Sequence, residues 1–252
     1  MDALRWRLLP APPLAAVMQL ALDELLLDSV AAGAPPALRF WNWTEPCLVL
    51  GSNQSLRSEV DLEAAAGLGF GVVRRMSGGG TMMVQPGGVI TYSLYLPEAA
   101  IGRHSFIESF AALDAFAVSA LRGIGVDAGY RPINDIVSPL GKIAGSAQAR
   151  RRGAILHHTT IAVRLDPALV PRLIRIGRPA RSERGVRSAE KVVTPLSMFT
   201  AASVTELIGE LLESFRTQHT CLDANLPEGI LSAATELAAT KYATAAWLER
   251  LA

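Results

Sequence analysis

The chain has 252 residues and a mass of 26.8 kDa, with 50% hydrophobic and 19% charged residues, 21 glycines and 15 prolines. This composition excludes a disordered chain, a collagen-like repeat and a coiled coil, and it suits an α/β domain with a real core. Lys and Arg number 24 against 23 for Asp and Glu, so the overall charge predicts neither a nucleic-acid partner nor binding to a membrane surface.

The cysteines and the early apolar stretch bear on where the protein works. Cys47 and Cys221 are too few for a disulfide framework, and no Cys or His spacing indicates a zinc site. Residues 8–22 are largely apolar but contain three prolines and run into Asp23, so they predict neither a spanning helix nor a signal peptide. We expect a cytoplasmic protein that binds neither a membrane nor a nucleic acid.

The hydrophobic pattern predicts the elements in chain order. Residues 14–28 place apolar side chains at helical spacing with carboxylates on the other side, which predicts an amphipathic helix. Residues 38–43 and 47–50 predict two strands joined by a short turn. The next predicted elements are a short helix at 61–68 and strands at 70–74 and 89–96.

Residues 104–122 again have helical periodicity, and residues 133–163 predict short strands and tight turns. Helical patterns return at residues 201–216 and 228–250. This order lacks the regular alternation of strand and helix found in a doubly wound parallel sheet. We predict an α/β (α+β) fold with a mixed, largely antiparallel sheet and flanking helices, in a single domain over residues 1–252 with a helical C-terminal tail.

A glycine-rich stretch after the predicted strand 70–74 is the first candidate for a ligand site. Gly78, Gly79 and Gly80 allow a close approach of the backbone to a ligand, and Arg74 and Arg75 add cationic donors. The stretch has neither the spacing of a Walker A loop nor that of a dinucleotide fingerprint. It predicts an anion cradle, with a glycine-rich hairpin and a solvated arginine pair as the alternative.

The second candidate combines a carboxylate with a rare lysine. Asp135 and Lys142 flank a predicted hairpin, and the only other lysines among the 24 basic residues are Lys191 and Lys241. A compact ammonium group, in a chain whose usual cation is arginine, suits a single carbonyl or carboxylate oxygen. The alternative is a turn lysine that faces solvent.

Two further stretches carry His and Arg. His157 and His158 lie on a predicted strand and face opposite ways, so at most one of them reaches a site and the pair is a poor metal motif. Arginines recur every third position from Arg172 to Arg187. Such a run could hold phosphates or an acidic partner protein, or it could be a solvated face.

Taken in this order, the stretches resemble the lipoate-protein ligase A family, within the broader group of biotin/lipoate ligases and octanoyltransferases. The resemblance covers residues 5–196, and its main motifs are Arg74-Arg75-x-Ser77-Gly78-Gly79-Gly80, Asn134-Asp135, Gly141-Lys142-Ile143-x-Gly145-Ser146-Ala147 and His157-His158-x-Thr160. Two weaker motifs support it, Gly51-x-x-Gln54 and Gly185-Val186-Arg187-Ser188.

The resemblance implies a fold like that of biotin ligases and class II aminoacyl-tRNA synthetases, and a reaction in two steps. ATP and Mg²⁺ would convert lipoate or octanoate to an acyl-adenylate. The acyl group would then pass to a lysine of an apo lipoyl domain, either on the E2 protein of a 2-oxoacid dehydrogenase or on the glycine-cleavage H protein.

The resemblance also implies residue roles. Lys142 would be the catalytic residue, which holds the acyl carbonyl and the bridging oxygen. The residues expected to bind the substrate or the acyl-adenylate are Arg74, Ser77, Gly78, Gly79, Gly80, Asn134, Asp135, Gly145, Ser146, Ala147, His158, Thr160, Gly185, Val186 and Ser188. Asp135 is also the expected Mg²⁺ ligand.

The sequence departs from the family pattern in several places. Val84-Gln85 replace a common His-Asp pair, Ser52 stands where many ligases have arginine, and Thr159 replaces a glycine. The chain also ends where two-domain ligases continue into an accessory domain. Three explanations are possible. A separate small protein supplies that domain, this branch of the family works without it, or the protein does not form an adenylate.

Two alternatives follow. The first is an octanoyl-[acyl-carrier-protein]:protein octanoyltransferase, which uses a cysteine thioester and no ATP, although neither Cys47 nor Cys221 is near Asn134 in sequence. The second is a non-catalytic protein that binds lipoate or a lipoyl domain.

Overall fold

A nine-stranded mixed sheet runs through the structure, a computed structural model that describes residues 4–180 and 185–251. Its strands are β1 Arg5–Leu9, β2 Pro13–Leu14, β3 Ala37–Trp43, β7 Val89–Pro97, β8 Gly129–Arg131, β9 Asp135–Ser138, β10 Gly141–Arg151, β11 Ala154–Ala162 and β12 Thr220–Asp223. The order is β12-β1-β3-β7-β11-β10-β9-β8, with β2 paired to β3. Pairing is antiparallel from β3 to β8 and parallel among β12, β1 and β3, which confirms the predicted mixed, largely antiparallel sheet.

A second, three-stranded sheet holds β4 Cys47–Leu50 between β5 Gly71–Arg74 and β6 Met82–Val84. The two strands predicted at 38–43 and 47–50 thus form as β3 and β4 with a short connection, but they do not pair with each other, since they belong to different sheets. β4 is buried along its whole length, and its parallel partner β5 comes from about 20 residues further along the chain.

The described helices are α1 Ala16–Ala31, α2 Leu56–Glu59, α3 Leu62–Gly67, α4 Phe106–Gly123, α5 Val170–Leu173, α6 Val204–Gln218, α7 Ile230–Leu237 and α8 Ala245–Leu248. Short 3₁₀ turns occur at Glu98–Ile101, Pro167–Leu169 and Leu196–Met198, and a π turn at Ala238–Tyr242 extends α7. None of the helices in the described ranges is long and apolar enough to cross a membrane.

The large sheet separates two apolar cores. On one face, α4 and α6 pack over Tyr92 and Ile155, and on the other face α1 packs over Tyr95 and Leu156, with α7 against α1. Alternate residues of β7 and β11 thus enter different cores, as the period of a strand requires. The second core continues into the small sheet, so the two sheets meet on the α1 side.

Helix α1 differs from its prediction in where its carboxylates lie. Asp23 and Glu24 were expected on the solvent side, yet both are buried. Asp23 pairs with Arg39 of β3 at 2.9 Å, and Glu24 contacts Lys241 at 2.6 Å and Arg151 at 2.8 Å. The helix can be buried on both of these sides because cations from distant segments pair with the carboxylates of Asp23 and Glu24.

The segment 133–163 also differs from expectation. It begins with one short strand, β9, as predicted, but the rest forms two long strands, β10 with 11 residues and β11 with 9, rather than further short ones. The glycines and polar residues in this stretch interrupt the apolar pattern without ending the strands. Several of these residues of β10 belong to the candidate functional site.

Candidate functional site

The glycine-rich loop after β5 is built around a buried arginine. Arg75 donates from Nε to Ser77 Oγ at 3.0 Å, from Nη1 to Val49 O at 2.9 Å, and from Nη2 to the carbonyls of Gly78 and Gly80 at 2.5 and 2.8 Å. Burial lowers the pKa of Arg75 to about 10. The guanidinium thus fixes the loop from inside.

Two glycines are needed where the loop meets the end of β4: Gly79 for its backbone conformation and Gly51 for the close contact with it. Gly79 has a φ of +88°, a region that L side chains rarely adopt, and its carbonyl oxygen would lie 2.1 Å from a Cβ placed on Gly51. The loop and the end of β4 therefore touch along their backbones.

A polar relay connects this loop to helix α1. Ser77 Oγ lies 2.6 Å from His158 Nε2, and His158 Nδ1 lies 3.1 Å from Asp23 Oδ2. Burial lowers the pKa of His158 although Asp23 opposes that shift, so the imidazole is neutral, with Nδ1 donating to Asp23 and Nε2 accepting from Ser77. Ser77 and His158 are thus buried supports of the loop.

Arg74 lies elsewhere than expected. Its Nη1 donates to the carbonyls of Gly51 and Gln54 at 3.0 and 2.6 Å, and its Nε and Nη2 donate to Leu248 O at 2.9 and 2.6 Å. The side chain points away from the cavity and joins the Gly51–Gln54 turn to the C-terminal helix α8. Arg75, and not Arg74, lines the cavity.

Lys142 reaches the cavity from the start of β10. Its Nζ lies 2.8 Å from Oδ1 of the buried Asp135 on the neighbouring strand β9. A Cβ on Gly145 would lie 2.4 Å from this Nζ, so glycine is required at position 145 for the ammonium group to take its place. Burial lowers the pKa of Lys142, Asp135 opposes this, and the positive charges of Lys191 and Arg75 add to it.

The strands β10 and β11 supply the cavity wall beyond Lys142. Asn134 lies just before β9, where its Nδ2 donates to Ser146 O at 2.5 Å and its own carbonyl accepts from Ser146 N at 2.9 Å. Ala147 and Thr160 also line the cavity, and Thr160 Oγ1 lies 2.9 Å from Thr91 Oγ1. These polar contacts hold the wall rather than leaving free groups in the cavity.

The segment that begins at Gly185 lies across the cavity. Val186 N donates to Asn53 O at 2.7 Å, and Ser188 donates from Oγ to Glu59 Oε2 at 2.5 Å and accepts from Thr81 N at 2.9 Å. Glu59 is buried and also accepts from Gln54 Nε2 at 2.7 Å. Residues 181–184 of the arginine-rich run, which include Arg181 and Arg184, lie outside the described residues.

These parts enclose a cavity of about 520 Å³. The predicted residues that line it are Gly78, Gly79, Gly80, Asn134, Lys142, Gly145, Ser146, Ala147, Thr160, Val186 and Ser188. Arg74, Ser77, Asp135, His158 and Gly185 lie behind its wall. One part of the cavity is apolar, with walls formed by Met82, Met83, Val89, Ala162, Leu165, Val170, Ile174 and Ile176.

The expected metal role of Asp135 does not fit this arrangement. Its Oδ1 faces Lys142 and its Oδ2 contacts Lys191 Nζ, so both oxygens already have cationic partners. Within the described ranges there is no group of three or more His, Cys, Asp or Glu side chains that could hold a metal ion. These residues therefore do not fit a Mg²⁺ site built by the protein.

Both cysteines lie away from the cavity. Cys47 is buried in β4, where burial raises the pKa of its thiol to about 12, and Cys221 lies in β12, where burial again raises the thiol pKa. No cysteine is among the described residues that line the cavity. Neither thiol has the low pKa or the access that a nucleophile needs.

Sequence reasoning missed several residues that shape the site. Lys191 and Glu59 were not selected, although the lysine is one of only three in the chain. The scarcity of lysine was the one signal that could have identified Lys191. No signal in the sequence identifies Glu59, because nothing distinguishes it from other acidic residues in short helices.

Comparison with known proteins gives a consistent result. Residues 15–216 match the family described as lipoyl protein ligase A/B catalytic domain. An octanoyltransferase LipM from Kyrpidia tusciae is 32% identical over 254 residues, which covers 90% of this chain and 91% of the relative.

Solved structures resemble the chain over nearly its whole length. A bi-partite lipoate protein ligase from Thermoplasma acidophilum, from a lipoylation system analysed with its E2 lipoyl domain, has a TM-score of 0.82 and 26% identity, covering 99% of this chain and 98% of that one. A lipoate-protein ligase A bound with ATP also has a TM-score of 0.82 and 26% identity, covering 98% and 100%. Ligases and an octanoyltransferase are therefore both similar to this chain.

Proposed function

Because this chain belongs to the family of lipoyl protein ligase A/B catalytic domains, and is thus an enzyme of protein lipoylation, we propose that it is an ATP-dependent lipoate-protein ligase. In this proposal ATP activates lipoate or octanoate as an acyl-adenylate, and the acyl group passes to a lysine of an apo lipoyl domain. One observation carries the choice of reaction. The cavity presents the ammonium group of Lys142, while both thiols of the chain lie elsewhere.

The two steps exchange defined bonds. In the first, a carboxylate oxygen of the fatty acid attacks the α-phosphorus of ATP, the bond to the β-phosphate breaks, and pyrophosphate leaves. In the second, the neutral ε-amine of the acceptor lysine attacks the acyl carbon, the carbon–oxygen bond to the phosphate breaks, and AMP leaves. The amine gives its surplus proton to solvent.

Lys142 is suited to both steps. In the first step its ammonium group would attract the carboxylate of the acid and the α-phosphate and hold the two together at the oxygen that comes to bridge them. Negative charge develops on the acyl oxygen when the acceptor amine attacks, and a fixed cation beside that oxygen stabilises it. The same positive charge lowers the pKa of an arriving lysine and favours its neutral, nucleophilic form. Gly145 fixes where this charge lies, because any larger residue would displace the ammonium group.

The rest of the cavity suits the other parts of the substrate. The apolar part next to Met83 and Ile174 matches a saturated chain or a dithiolane ring, which gain by leaving water. The glycine loop and the segment from Val186 to Ser188 lie on the polar side, where they would contact the adenylate. The similarity to a ligase that has been solved with ATP supports this assignment.

The acceptor and a further subunit are also part of the proposal. The similar ligase from Thermoplasma acidophilum was analysed with its E2 lipoyl domain, which supports the lipoyl domain of an E2 protein as the acceptor. The H protein of glycine cleavage is proposed as an acceptor on the family resemblance alone. That ligase is bi-partite, which supports a separate small accessory protein for this chain as well.

An octanoyltransferase is the second candidate, and its support is the similarity to several octanoyltransferases named LipM. That reaction would take octanoate from an acyl-carrier protein without ATP. A thioester intermediate would require Cys47 or Cys221, both with raised thiol pKa values. The placement of the two thiols therefore favours the ligase.

A comparison of acyl donors separates the two candidates. The purified chain is incubated with an apo lipoyl domain and either octanoate, ATP and Mg²⁺ or octanoyl-acyl-carrier protein, and the acceptor is weighed by mass spectrometry. We expect acylation from octanoate and ATP, with the same rate in a C47S/C221S double variant. Acylation from the carrier protein alone, lost in the double variant, would refute the ligase proposal.

Binding of octanoate or lipoate with no acylation from either donor would instead indicate the non-catalytic alternative. The assay is repeated with a candidate accessory protein before that conclusion is drawn. A ligase that needs the second subunit would gain ATP-dependent activity on its addition.

A further inference from the structure

Two of the three lysines in the chain meet at one buried carboxylate. Asp135 is 3% exposed, and its two oxygens contact Lys142 Nζ and Lys191 Nζ. The third lysine, Lys241, pairs with Glu24 on helix α1. The two ammonium groups and the one carboxylate carry a net charge of +1. Both lysines line the cavity.

The backbone holds Lys191 in this position. Lys142 N donates to Val192 O at 2.8 Å, and Thr194 N donates to Lys142 O at 2.8 Å, so residues 192–194 pair with the beginning of β10. Gly141 permits this approach, since a Cβ there would lie 2.6 Å from Val192 O. Lys191 is therefore tied to the same strand end as Lys142 and is not carried by a free loop.

The other cations of the cavity wall are engaged with the protein. Arg75 is bonded to Ser77 and to three carbonyls, and Arg187 donates to Glu59 and to the carbonyls of Arg175 and Arg178. An ammonium group has three N–H donors, and in the described ranges each cavity lysine has one carboxylate contact. No Asp or Glu is among the described lining residues, so the lysine pair carries the positive charge that a ligand would meet.

We propose that Lys191 is a second anion-binding residue of this site, which takes a phosphate oxygen of the acyl-adenylate while Lys142 takes the acyl carbonyl oxygen. The inference rests on the proposed function, because only the adenylate route places a phosphate here. Its chemical basis is charge matching: two ammonium groups and one carboxylate sum to +1, and the phosphate of an acyl-adenylate carries −1. Asp135 keeps the two ammonium groups side by side, although they repel each other.

The alternative is that the contact between Lys191 and Asp135 is an ordinary surface ion pair. The Lys191 side chain is 35% exposed, and exposed pairs contribute about 0–1 kcal/mol to stability. In that case the loss of Lys191 would change stability slightly and ligand binding not at all. A binding measurement therefore decides between the two.

The test uses the full chain and two probes in calorimetric titrations. Octyl-AMP, a stable ester that contains the phosphate but no acyl carbonyl, reports on phosphate binding, and octanoate alone reports on carboxylate and chain binding. In K191Q we expect octyl-AMP to bind about tenfold or more weakly, because a charge-assisted hydrogen bond is lost, with octanoate changed less than about threefold. K191R keeps the charge and should recover most of the affinity for octyl-AMP.

E190Q is the matched control, since it removes a charge from the exposed neighbouring residue and should leave both affinities unchanged. The proposal is overturned if K191Q binds octyl-AMP as tightly as the unaltered chain. Failure of the unaltered chain to bind octyl-AMP, with octanoate still bound, would instead count against the proposed function and would remove this inference with it.

The pH dependence of turnover provides a second readout. The charged groups that act on the pKa of Lys142 are Asp135 of β9, Lys191 and Arg75. Removing the charge of Lys191 raises the pKa of Lys142, so the alkaline loss of activity in K191Q should move to higher pH. An unchanged profile in K191Q would contradict the electrostatic contact between the two lysines.

Discussion

Gly145 and Lys142 illustrate how much of the site depends on single residues. The ammonium group occupies the space where any side chain at position 145 would begin. Residues three apart in a regular strand face opposite sides of the sheet, so the register shift in β10 between Lys142 and Ala144 is what allows the ammonium group to reach Gly145. Pairing with Asp135 of β9 completes the arrangement.

A substitution at Gly145 should therefore lower the rate of acyl transfer more than it lowers the stability of the fold. In G145A the new Cβ would lie 2.4 Å from Lys142 Nζ and displace it, so we expect acyl transfer to slow by about a hundredfold, as when one oxyanion contact is lost. G129A is the matched control, since Gly129 is also in a strand and a Cβ there meets nothing within 4 Å. Equal rates in the two variants would show that the position of Lys142 does not matter.

At the scale of elements, the cavity depends on helix α2 holding the segment across it. Glu59, the last residue of α2, accepts from Arg187 Nε at 2.7 Å as well as from both the backbone N and Oγ of Ser188. Ser188 in turn accepts from Thr81 N, which joins the segment to the glycine loop. One buried carboxylate thus ties three separate stretches together.

We expect E59Q to loosen that segment without unfolding the protein. The neutral amide loses the charge-assisted contacts, each of which contributes about 1.5–3 kcal/mol, so the Ser188 amide should exchange its hydrogen faster and KM for ATP should rise about tenfold. E63Q on the exposed face of α3 is the control. Unaltered hydrogen exchange at Ser188 in E59Q would mean that other contacts hold the segment.

The elements differ in how far the sequence could predict them. The helices α4 and α6 were predicted because the spacing of their apolar residues is local. The pairing partner of β4 could not be predicted, because it is a strand from a distant part of the chain. The apolar run Cys47–Leu50 would look the same in either sheet. Within the site, Lys142 and the glycines form recognisable motifs, whereas Lys191 and Glu59 enter through contacts across 56 and 128 residues.

At the scale of the whole molecule, buried acids connect the layers. Asp23 of α1 contacts Arg39 and Tyr95 of the large sheet and, through His158 and Ser77, the glycine loop. On the other face of the sheet, Asp114 of α4 contacts His157, Tyr92 and Thr159 at 2.6, 2.6 and 2.7 Å. The adjacent histidines thus face opposite layers, as their alternation on a strand predicted. The burial of Asp23 was not predictable, since its partners lie far along the chain.

This network predicts how stability depends on pH. Burial alone would raise the pKa of Asp23, but the contacts with His158, Arg39 and Tyr95 outweigh it and the pKa is lowered. An acid with a lowered pKa in the folded state stabilises the protein above its unfolded pKa, about 4, and that contribution is lost as the pH falls further. Unfolding by urea at a series of pH values should show this loss.

D23N tests the origin of that effect. Because the substitution leaves Arg39 buried without its counter-charge, the free energy of unfolding at neutral pH should fall by about 3–5 kcal/mol. The difference from the unaltered chain should shrink as the pH falls below about 4, where Asp23 takes up a proton in the unfolded chain before it does so in the folded protein. D28N, at a half-exposed position of the same helix, should cost less than about 1 kcal/mol. Equal losses in D23N and D28N would contradict the role given to the buried network.

The central claim is that the ammonium group of Lys142 assists ATP-dependent activation of a fatty acid, and isotope exchange between ATP and pyrophosphate tests it most directly. The unaltered chain should exchange label only when octanoate or lipoate is present. K142M should do so about a hundredfold more slowly, and K241M, which removes a lysine distant from the cavity, at close to the original rate. Exchange at full rate in K142M, or no acid-dependent exchange in the unaltered chain even with the accessory protein present, would contradict the account.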